Sequence, residues 1–305
     1  MARIKLNPDL PNDFVQLDWS DAAGDKAAFC RNLVREYENG RTIILKNSPI
    51  TADYELLNRI SLPAGLKYKK LSDHLFKNPV LHPRTWGLHA HLLKDHPRDY
   101  RAVCREILRA SDAIRAWTKD VFHQYRFIKM PVSWRFTPTG NEHIHIDSFG
   151  ARNDELEKWY VRIFLNVDVE PRIWQVSHRL DALAQSRYVS AGMGQWRDAR
   201  GADFSREMSK IVFGTKANPI HGTEPFHEIA WETGDVWLVD SRLQSHQVDY
   251  GRRLMATGFE VEAASMQDPT KSLDHRVRAY HAAYGGSTSP AAIQAEPEHG
   301  AGATT

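Results

Sequence analysis

The chain is poor in cysteine: Cys30 and Cys104 are its two thiols in 305 residues. Two thiols do not form the disulfide framework on which many secreted proteins depend. Residues 1–17 are polar and interrupted by prolines, so they lack the apolar region of a signal peptide. We therefore expect a protein of a reducing compartment and predict a cytoplasmic location.

Long apolar runs and an excess of charge of one sign are also lacking. No stretch approaches the roughly 18 apolar residues that a membrane span requires, so we expect no transmembrane segment. Forty Lys and Arg side chains stand against 38 Asp and Glu, which leaves a net charge of +2. Such a balance supplies no field to hold nucleic acid, and we expect no nucleic-acid partner. A peripheral contact with a membrane is compatible with the sequence.

The composition is that of an ordinary globular protein, with 42% hydrophobic and 26% charged residues. Residues 1–125 are predicted to be mainly helical and to pack on a core sheet, because helical apolar spacing recurs there, most clearly over 97–125. Residues 126–283 are predicted to form a jelly-roll catalytic core with a helical insertion around 177–225. Residues 284–305 are predicted to be a disordered tail, since the chain from 285 onward lacks aromatic side chains.

Short β-branched and aromatic segments recur between turns in the second part, as at 132–136, 159–169 and 236–240. Strands of this length, flanked by helices, favour a barrel or a jelly roll. The predicted fold is α+β, with a double-stranded β-helix (a cupin-like jelly roll) as its core and helices around it.

The sharpest local motif is His145-Ile146-Asp147, inside the alternating segment His143–Asp147. Residues two apart on a strand point to the same face, so one imidazole and one carboxylate lie side by side. That arrangement suits two neighbouring metal ligands, although His-x-Asp also occurs by chance in many chains. A third ligand is needed.

The third ligand that we predict is His246. It follows a turn at Gly234-Asp235 and an apolar strand ending near Asp240, so it lies where a buried strand leaves the core. Two histidines and one carboxylate on one face of a metal, with the other positions open, are typical of non-haem Fe(II) oxygenases. We therefore predict His145, Asp147 and His246 as metal ligands and catalytic residues.

A cupin-like His-x-His site is the competing assignment, because His143 shares a face with His145. Such sites usually carry a Glu three or four residues further on. Ser148 and Phe149 stand at those positions here, so the His-x-Asp assignment is favoured.

The open metal positions suit O₂ and a bidentate co-substrate. A 2-oxo diacid that binds a metal through its oxo-acid end needs a cation for its far carboxylate, and arginine supplies the strongest pairing. Arg162 is a single charge within the apolar segment 159–166 and should face a buried anion. Arg253 and, behind it, Arg252 follow the distal histidine and are the other candidates.

The stretch from about 126 to 262 resembles the Fe(II)- and 2-oxoglutarate-dependent dioxygenases, and more narrowly the Kdo hydroxylases, which act on a sugar of lipopolysaccharide. The resemblance is carried by five segments: Ser133-Trp134-Arg135, His145 to Phe149, Val161 to Val167, Pro171 to Val176, and Asp240-Ser241 followed by His246. It implies Fe(II), 2-oxoglutarate and O₂ as cofactors and co-substrates. It also implies hydroxylation of an unactivated C–H bond of a sugar carried on a glycolipid.

Two other functions remain open from the sequence. The same mechanism could act on a small molecule, either an amino acid or a natural-product intermediate, by hydroxylation or oxidative cyclisation. A non-catalytic, cupin-like metal-binding module is the third alternative, and the intact triad argues against it. The sequence leaves the oligomeric state undetermined.

Overall fold

The computed structural model describes residues 1–60, 71–77, 86–140, 142–149, 157–220 and 224–286. Its strands are β1 (Arg3–Lys5), β2 (Phe14–Asp18), β3 (Thr42–Lys46), β4 (Leu71–Ser72), β5 (Phe127–Lys129), β6 (Val132–Gly140), β7 (Lys158–Val161), β8 (Ile163–Asn166), β9 (Arg172–Arg179), β10 (His227–Trp231), β11 (Val236–Leu238), β12 (Gln244–Thr257) and β13 (Phe259–Glu262). Its helices are α1 (Lys26–Glu38), α2 (Tyr54–Arg59), α3 (His74–Lys77), α4 (Trp86–Asp95), α5 (Tyr100–Val121), α6 (Leu180–Arg187), α7 (Gly201–Phe213) and α8 (Leu273–Tyr284). The fold is mixed α+β, as predicted.

The main sheet is long and curls on itself. Its strand order is β1-β10-β9-β12-β8-β11-β3-β2, while β6 pairs with both β12 and β4. A second, three-stranded sheet has the order β5-β13-β7. The pairings are antiparallel except for β2 with β3, which run parallel.

Strand β12 joins the two halves of the curled sheet. Its first part, from Gln244 to Tyr250, pairs with β9, and its second part pairs with β6 and β8. The register shifts between Gly251 and Arg253. A bulge of this kind bends a strand and increases its twist, which lets one strand serve both halves.

Side chains on opposite faces of the sheet enter two different cores. In β3, Ile44 belongs to an aromatic-rich cluster, whereas Ile43 and Leu45 join the larger cluster that the helices cover. Phe164 in β8 and Trp237 in β11 follow the same alternation and join Ile44. The first cluster lies inside the curl of the sheet, and the second binds α1 and α5 to its outer face.

The helix that the sequence predicted most clearly, over 97–125, is realised as α5. Helix α1 has Asp25 as its N-cap, whose side chain accepts from the Ala28 backbone N–H at 2.9 Å. Among the described residues, none of the helices is both long and apolar enough to cross a membrane.

Several local predictions were wrong. The strand at the predicted segment 132–136 is longer than expected, since β6 continues to Gly140. The helical insertion predicted around 177–225 begins later than expected, because β9 runs to Arg179 and pairs on both sides, with β10 and β12. Segment 143–147 pairs as an isolated bridge at His145. Of the predicted tail, residues 287–305 lie outside the described residues, and α8 ends at Tyr284.

Candidate active site

His145 and His246 lie directly opposite each other on neighbouring backbone segments. The His145 N–H donates to the His246 carbonyl at 3.0 Å, and the His246 N–H donates back to the His145 carbonyl at 2.9 Å. Residues that exchange both bonds in this way carry their side chains on the same face. The two imidazole centroids are 4.9 Å apart, although the residues are separated by a hundred positions in sequence.

Asp147 is positioned by Ser241. The Asp147 backbone N–H donates to the Ser241 carbonyl at 2.9 Å, and the Ser241 hydroxyl donates to Asp147 Oδ2 at 2.6 Å. The other carboxylate oxygen, Oδ1, lies 3.6 Å from His145 Nε2. Asp147 therefore turns Oδ1 towards the histidines while Ser241 holds Oδ2.

Both imidazoles are held so that Nε2 is left for a ligand. His145 Nδ1 lies 2.9 Å from the His143 carbonyl, and His246 Nδ1 lies 3.1 Å from the Gln244 carbonyl. A carbonyl accepts, so both Nδ1 atoms carry the proton. The Trp174 ring, which is buried, stacks on the His246 ring at 5.1 Å and 21°.

Burial and neighbouring charges shift the pKa values of the three candidate ligands. Burial, with the charge of His145 nearby, lowers the pKa of His246 to about 4, so this imidazole is neutral at pH 7. Burial alone would raise the pKa of Asp147, but His145 and Arg162 outweigh it and hold that pKa well below its usual range. Burial alone would lower the pKa of His145, but Asp147, together with His143 and Glu142, outweighs it and raises that pKa.

The three side chains fit a divalent metal. One ligand atom from each of His145, Asp147 and His246 can be chosen so that all three lie within 4.8 Å of one another. Two imidazole nitrogens and one carboxylate oxygen on one side are a suitable donor set for Fe(II), with the remaining positions open to the cavity.

A cavity of about 720 Å³ opens beside the three ligands. Its described lining includes aromatic and aliphatic side chains, four cationic residues and two carboxylates besides the histidines. The charged residues are Arg135, Arg162, Arg172, Lys216, Glu142 and Asp147. Cations therefore outnumber carboxylates two to one around the candidate metal position.

Arg162 lies in this cavity, as the sequence predicted. Its Nη1 is 3.7 Å from Asp147 Oδ2, and its guanidinium lies over the rings of Phe149 and Phe164, at 4.9 and 5.1 Å from their centroids. Arg162 is the single residue between β7 and β8. Its backbone N–H donates to the Tyr37 hydroxyl of α1 at 2.9 Å. Arg162 thus lies beside Asp147, one of the candidate metal ligands.

Arg252 and Arg253 are placed differently. Arg252 donates to both oxygens of Asp168, at 3.0 and 2.7 Å. Arg253 contacts Asp168, the Asn58 side chain and the Ile60 carbonyl. Neither side chain is part of the described cavity lining. Their charges are already balanced where they lie, and the structure does not bring them to the candidate metal site.

Four residues of the site were missed by the sequence reasoning as functional residues: Arg135, Arg172, Trp174 and Ser241. Arg172 lies in the segment Pro171 to Val176 that carries the resemblance, but the sequence reasoning gave it no role. Ser241 also belongs to a segment that carries the resemblance, but its role depends on a contact 94 residues away, which the sequence did not indicate.

No protein-family model and no curated protein matches the chain. Solved structures do match. A crystal structure of the Kdo hydroxylase KdoO, a non-heme Fe(II) alpha-ketoglutarate (2-oxoglutarate) dependent dioxygenase, in complex with succinate and Fe(III), is 14% identical over 88% of this chain and 95% of that chain, with a TM-score of 0.55.

Two further structures of the same hydroxylase match equally well. The complex with alphaketoglutarate and Fe(III) is 14% identical over 87% of this chain and 95% of that one, and the cobalt(II) complex is 14% identical over 92% and 98%. Both have a TM-score of 0.55. The resemblance that the motifs indicated is confirmed at the level of the fold, which this chain shares with the Kdo hydroxylase structures over nearly its whole length.

Proposed function

We propose that the protein is a non-haem Fe(II)- and 2-oxoglutarate-dependent dioxygenase that hydroxylates a C–H bond of a small molecule. The observation that carries the proposal is the convergence of His145, Asp147 and His246 at the wall of an open cavity. Fe(II) bound there would couple the oxidative decarboxylation of 2-oxoglutarate, giving succinate and CO₂, to insertion of one oxygen atom into the substrate.

The sheet supports a double-stranded β-helix for this chain. One half contains β6, β12, β8 and β11 in that order, and the other contains the His145 bridge, β12, β9 and β10. Two such halves, joined through β12, bring the His145–His246 pair to one end of the curl. The structurally similar hydroxylase binds iron, cobalt, alphaketoglutarate and succinate, which is the ligand set that we propose here.

The protein residues would divide the work of the site. His145 and His246 present Nε2, and Asp147 presents Oδ1 while Ser241 keeps Oδ2 occupied. Trp174 covers the buried side of His246, which keeps water from that face of the ligand. Arg162, of the three arginines that the sequence suggested, is the one that lines the cavity with a charge able to meet a carboxylate.

The excess of cations favours an acidic substrate. A 2-oxo diacid brings two negative charges and a divalent metal brings two positive ones, so the cavity keeps its surplus of two cations over carboxylates when both are bound. A sugar acid of the Kdo type, free or on a glycolipid, is therefore the first substrate to test. Acidic amino acids and natural-product intermediates are the second.

The first experiment is succinate formation by anaerobically iron-loaded protein given 2-oxoglutarate and O₂. Wild type should form succinate slowly even without a prime substrate, and His246→Ala should not. Metal binding is measured separately by the absorption of the Co(II)-loaded protein. Metal binding without 2-oxoglutarate binding would turn the assignment to a cupin-like binding module, and loss of both would overturn the proposal.

A further inference from the structure

Arg172 is a buried cation whose guanidinium has no partner in the described structure. It is 1% exposed, and Nε, Nη1 and Nη2 all lack a hydrogen bond. Burying an unpaired charge is costly, and buried cations in folded proteins normally meet an anion. Burial, together with the charge of Arg135 nearby, lowers the pKa of Arg172 to about 9, and the charges of Glu142 and Asp168 do not offset that shift.

The space for this guanidinium exists because residue 251 is glycine. A Cβ built on Gly251 would lie 2.3 Å from Arg172 Nη1 and 2.8 Å from its Cγ. Real Cβ atoms do not approach other atoms so closely, so any larger residue at 251 must push the arginine away. Gly251 also stands at the bulge where β12 passes from one half of the sheet to the other. The backbone of β12 therefore forms a cradle over the Arg172 side chain.

The same arginine lines the cavity of the candidate metal site. Arg172 and Trp174 are two apart on β9 and share a face, and Trp174 stacks on the proposed ligand His246. Arg135, on β6, lines the cavity too. An anion that reached into the cavity past His246 would meet Arg172 with all its donors free.

The other candidate arginines have partners of their own. Arg162 contacts Asp147 Oδ2, and Arg252 and Arg253 share Asp168. A 2-oxo diacid whose oxo-acid end lies at the metal needs a cation beyond the immediate surroundings of the ligands. Arg172 meets that need without giving up an existing bond.

We infer that Arg172, held in the cradle of Gly251, binds the far carboxylate of the 2-oxo diacid, and that Arg162 instead orients Asp147. The inference rests on the proposed function and replaces Arg162, the anchor expected from the sequence. Arg172 is then the residue that selects a diacid over a monoacid, and Gly251 is a positioning residue that acts through it.

The test compares two ligands that differ in the far group alone. Co(II)-loaded protein is titrated with 2-oxoglutarate and with 2-oxopentanoate, which has a methyl group in place of the far carboxylate, and binding is followed by Co(II) absorption and tryptophan fluorescence. A charge-assisted, bidentate pair should make wild type prefer the diacid by on the order of 100-fold.

Four variants locate the preference. Arg172→Met should bind the two acids alike, at the affinity of 2-oxopentanoate, with Co(II) affinity unchanged. Gly251→Ala should lower the preference at least about tenfold, because its Cβ displaces the guanidinium. Gly258→Ala is the matched control, since a Cβ there meets no atom within 4 Å, and it should keep the full preference. Arg162→Gln should keep it as well.

Different negative results would contradict the role of Arg172 and the dioxygenase proposal on which it rests. A preference that survives Arg172→Met, or that disappears in Arg162→Gln, overturns the inference and leaves the dioxygenase proposal standing. Wild type that binds Co(II) and both acids without a preference also overturns the inference alone. Wild type that binds neither Co(II) nor a 2-oxo acid overturns both.

Discussion

Two groups of buried charges in this protein differ in whether each charge has a partner in the fold. Around Asp168, a buried carboxylate meets Arg252 and Arg253 and accepts the backbone N–H groups of Glu170 and Arg253. In the cavity beside His246, Arg172 is equally buried and has no partner among the described residues. The charges around Asp168 are paired with one another, and we call this group the closed region, whereas the Arg172 guanidinium has no hydrogen-bond partner among the described residues.

The difference teaches how to separate structural arginines from binding arginines. All five of the arginines considered, 135, 162, 172, 252 and 253, lie in or beside apolar strands, so residue type and hydropathy do not distinguish them. The hydrogen-bond and ion-pair partners of each guanidinium do distinguish them. A buried charge without such partners in the fold needs a bound ligand to stabilise it. The following predictions test this contrast, beginning with the largest effect.

Asp168→Asn should destabilise the protein by removing the carboxylate of the closed region. It removes the charge that Arg252 and Arg253 share, and removal of one partner from a buried pair costs about 3–5 kcal/mol of unfolding free energy. Urea unfolding measures the change. Glu170→Gln is the control: its carboxylate pairs with Arg252 at 3.0 Å but is 45% exposed, so about 0–1 kcal/mol is expected. Equal losses in both variants would contradict the contrast.

Acid should weaken the closed region gradually. Burial raises the pKa of Asp168, but the hydrogen bonds from Arg252 and Glu170 and the charges of Arg253 and Arg252 outweigh it, and the net pKa lies below its usual value. The unfolded chain thus binds more protons than the native one around pH 4, so the contribution of Asp168 is present above that pH and is lost as pH falls through the native pKa. Urea midpoints from pH 7 to pH 3 should show wild type and Asp168→Asn converging. A constant gap would disprove the assignment.

Ser241→Ala should lower the affinity for the metal without affecting the ion pairs around Asp168. Asp147 Oδ2 would lose the hydroxyl donor at 2.6 Å, and the loss of such an orienting bond costs about 10–100-fold in metal affinity. Competition titration with Co(II) measures it. Ser177→Ala removes a comparable buried hydroxyl, bonded to the Pro225 carbonyl, and should leave the affinity unchanged. Unchanged affinity in Ser241→Ala would argue against its role.

Arg172→Met should have the smallest effect on stability. Its guanidinium makes no hydrogen bond in the described structure, so the substitution removes an uncompensated buried charge and should leave the unfolding free energy within about 1 kcal/mol of wild type, or above it. Arg253→Met, by contrast, should lose about 1–3 kcal/mol, because Asp168 loses one of its two cations and the Asn58 side chain and the Ile60 carbonyl lose their donor. Thermal or urea unfolding of the two variants compares the regions directly. Similar losses in both would mean that Arg172 has a structural role.

Much of the candidate metal site could be predicted from the sequence. The His-x-Asp spacing places His145 and Asp147 near each other. The turn and apolar strand before His246 indicate that this third residue follows a buried strand. The structure brings these three residues together. The same reasoning could not reach Ser241, since its bond to Asp147 follows from how β11 ends beside the His145 segment rather than from any spacing.

The fold was predicted in class and in most elements, and the misses have a common cause. Segment 172–179 forms β9 because β10 and β12 pair with its two edges, a long-range effect that overrides its local appearance. The first residues likewise enter the main sheet, since β1 pairs with β10 and β2 pairs with β3. Local patterns describe a segment's preference, and sheet pairing decides between preferences that are nearly equal.

The sequence by itself determined the chemistry available to this protein: two imidazoles and a carboxylate at ligand spacing, with arginines in apolar strands. Only the tertiary structure decided which arginine is free. Asp168 neutralises Arg253 from 85 positions away, and Gly251 makes room for Arg172 from a strand that lies far along the chain. Charge compensation depends on distance in space, and the folded chain, with its bends and pairings, sets that distance.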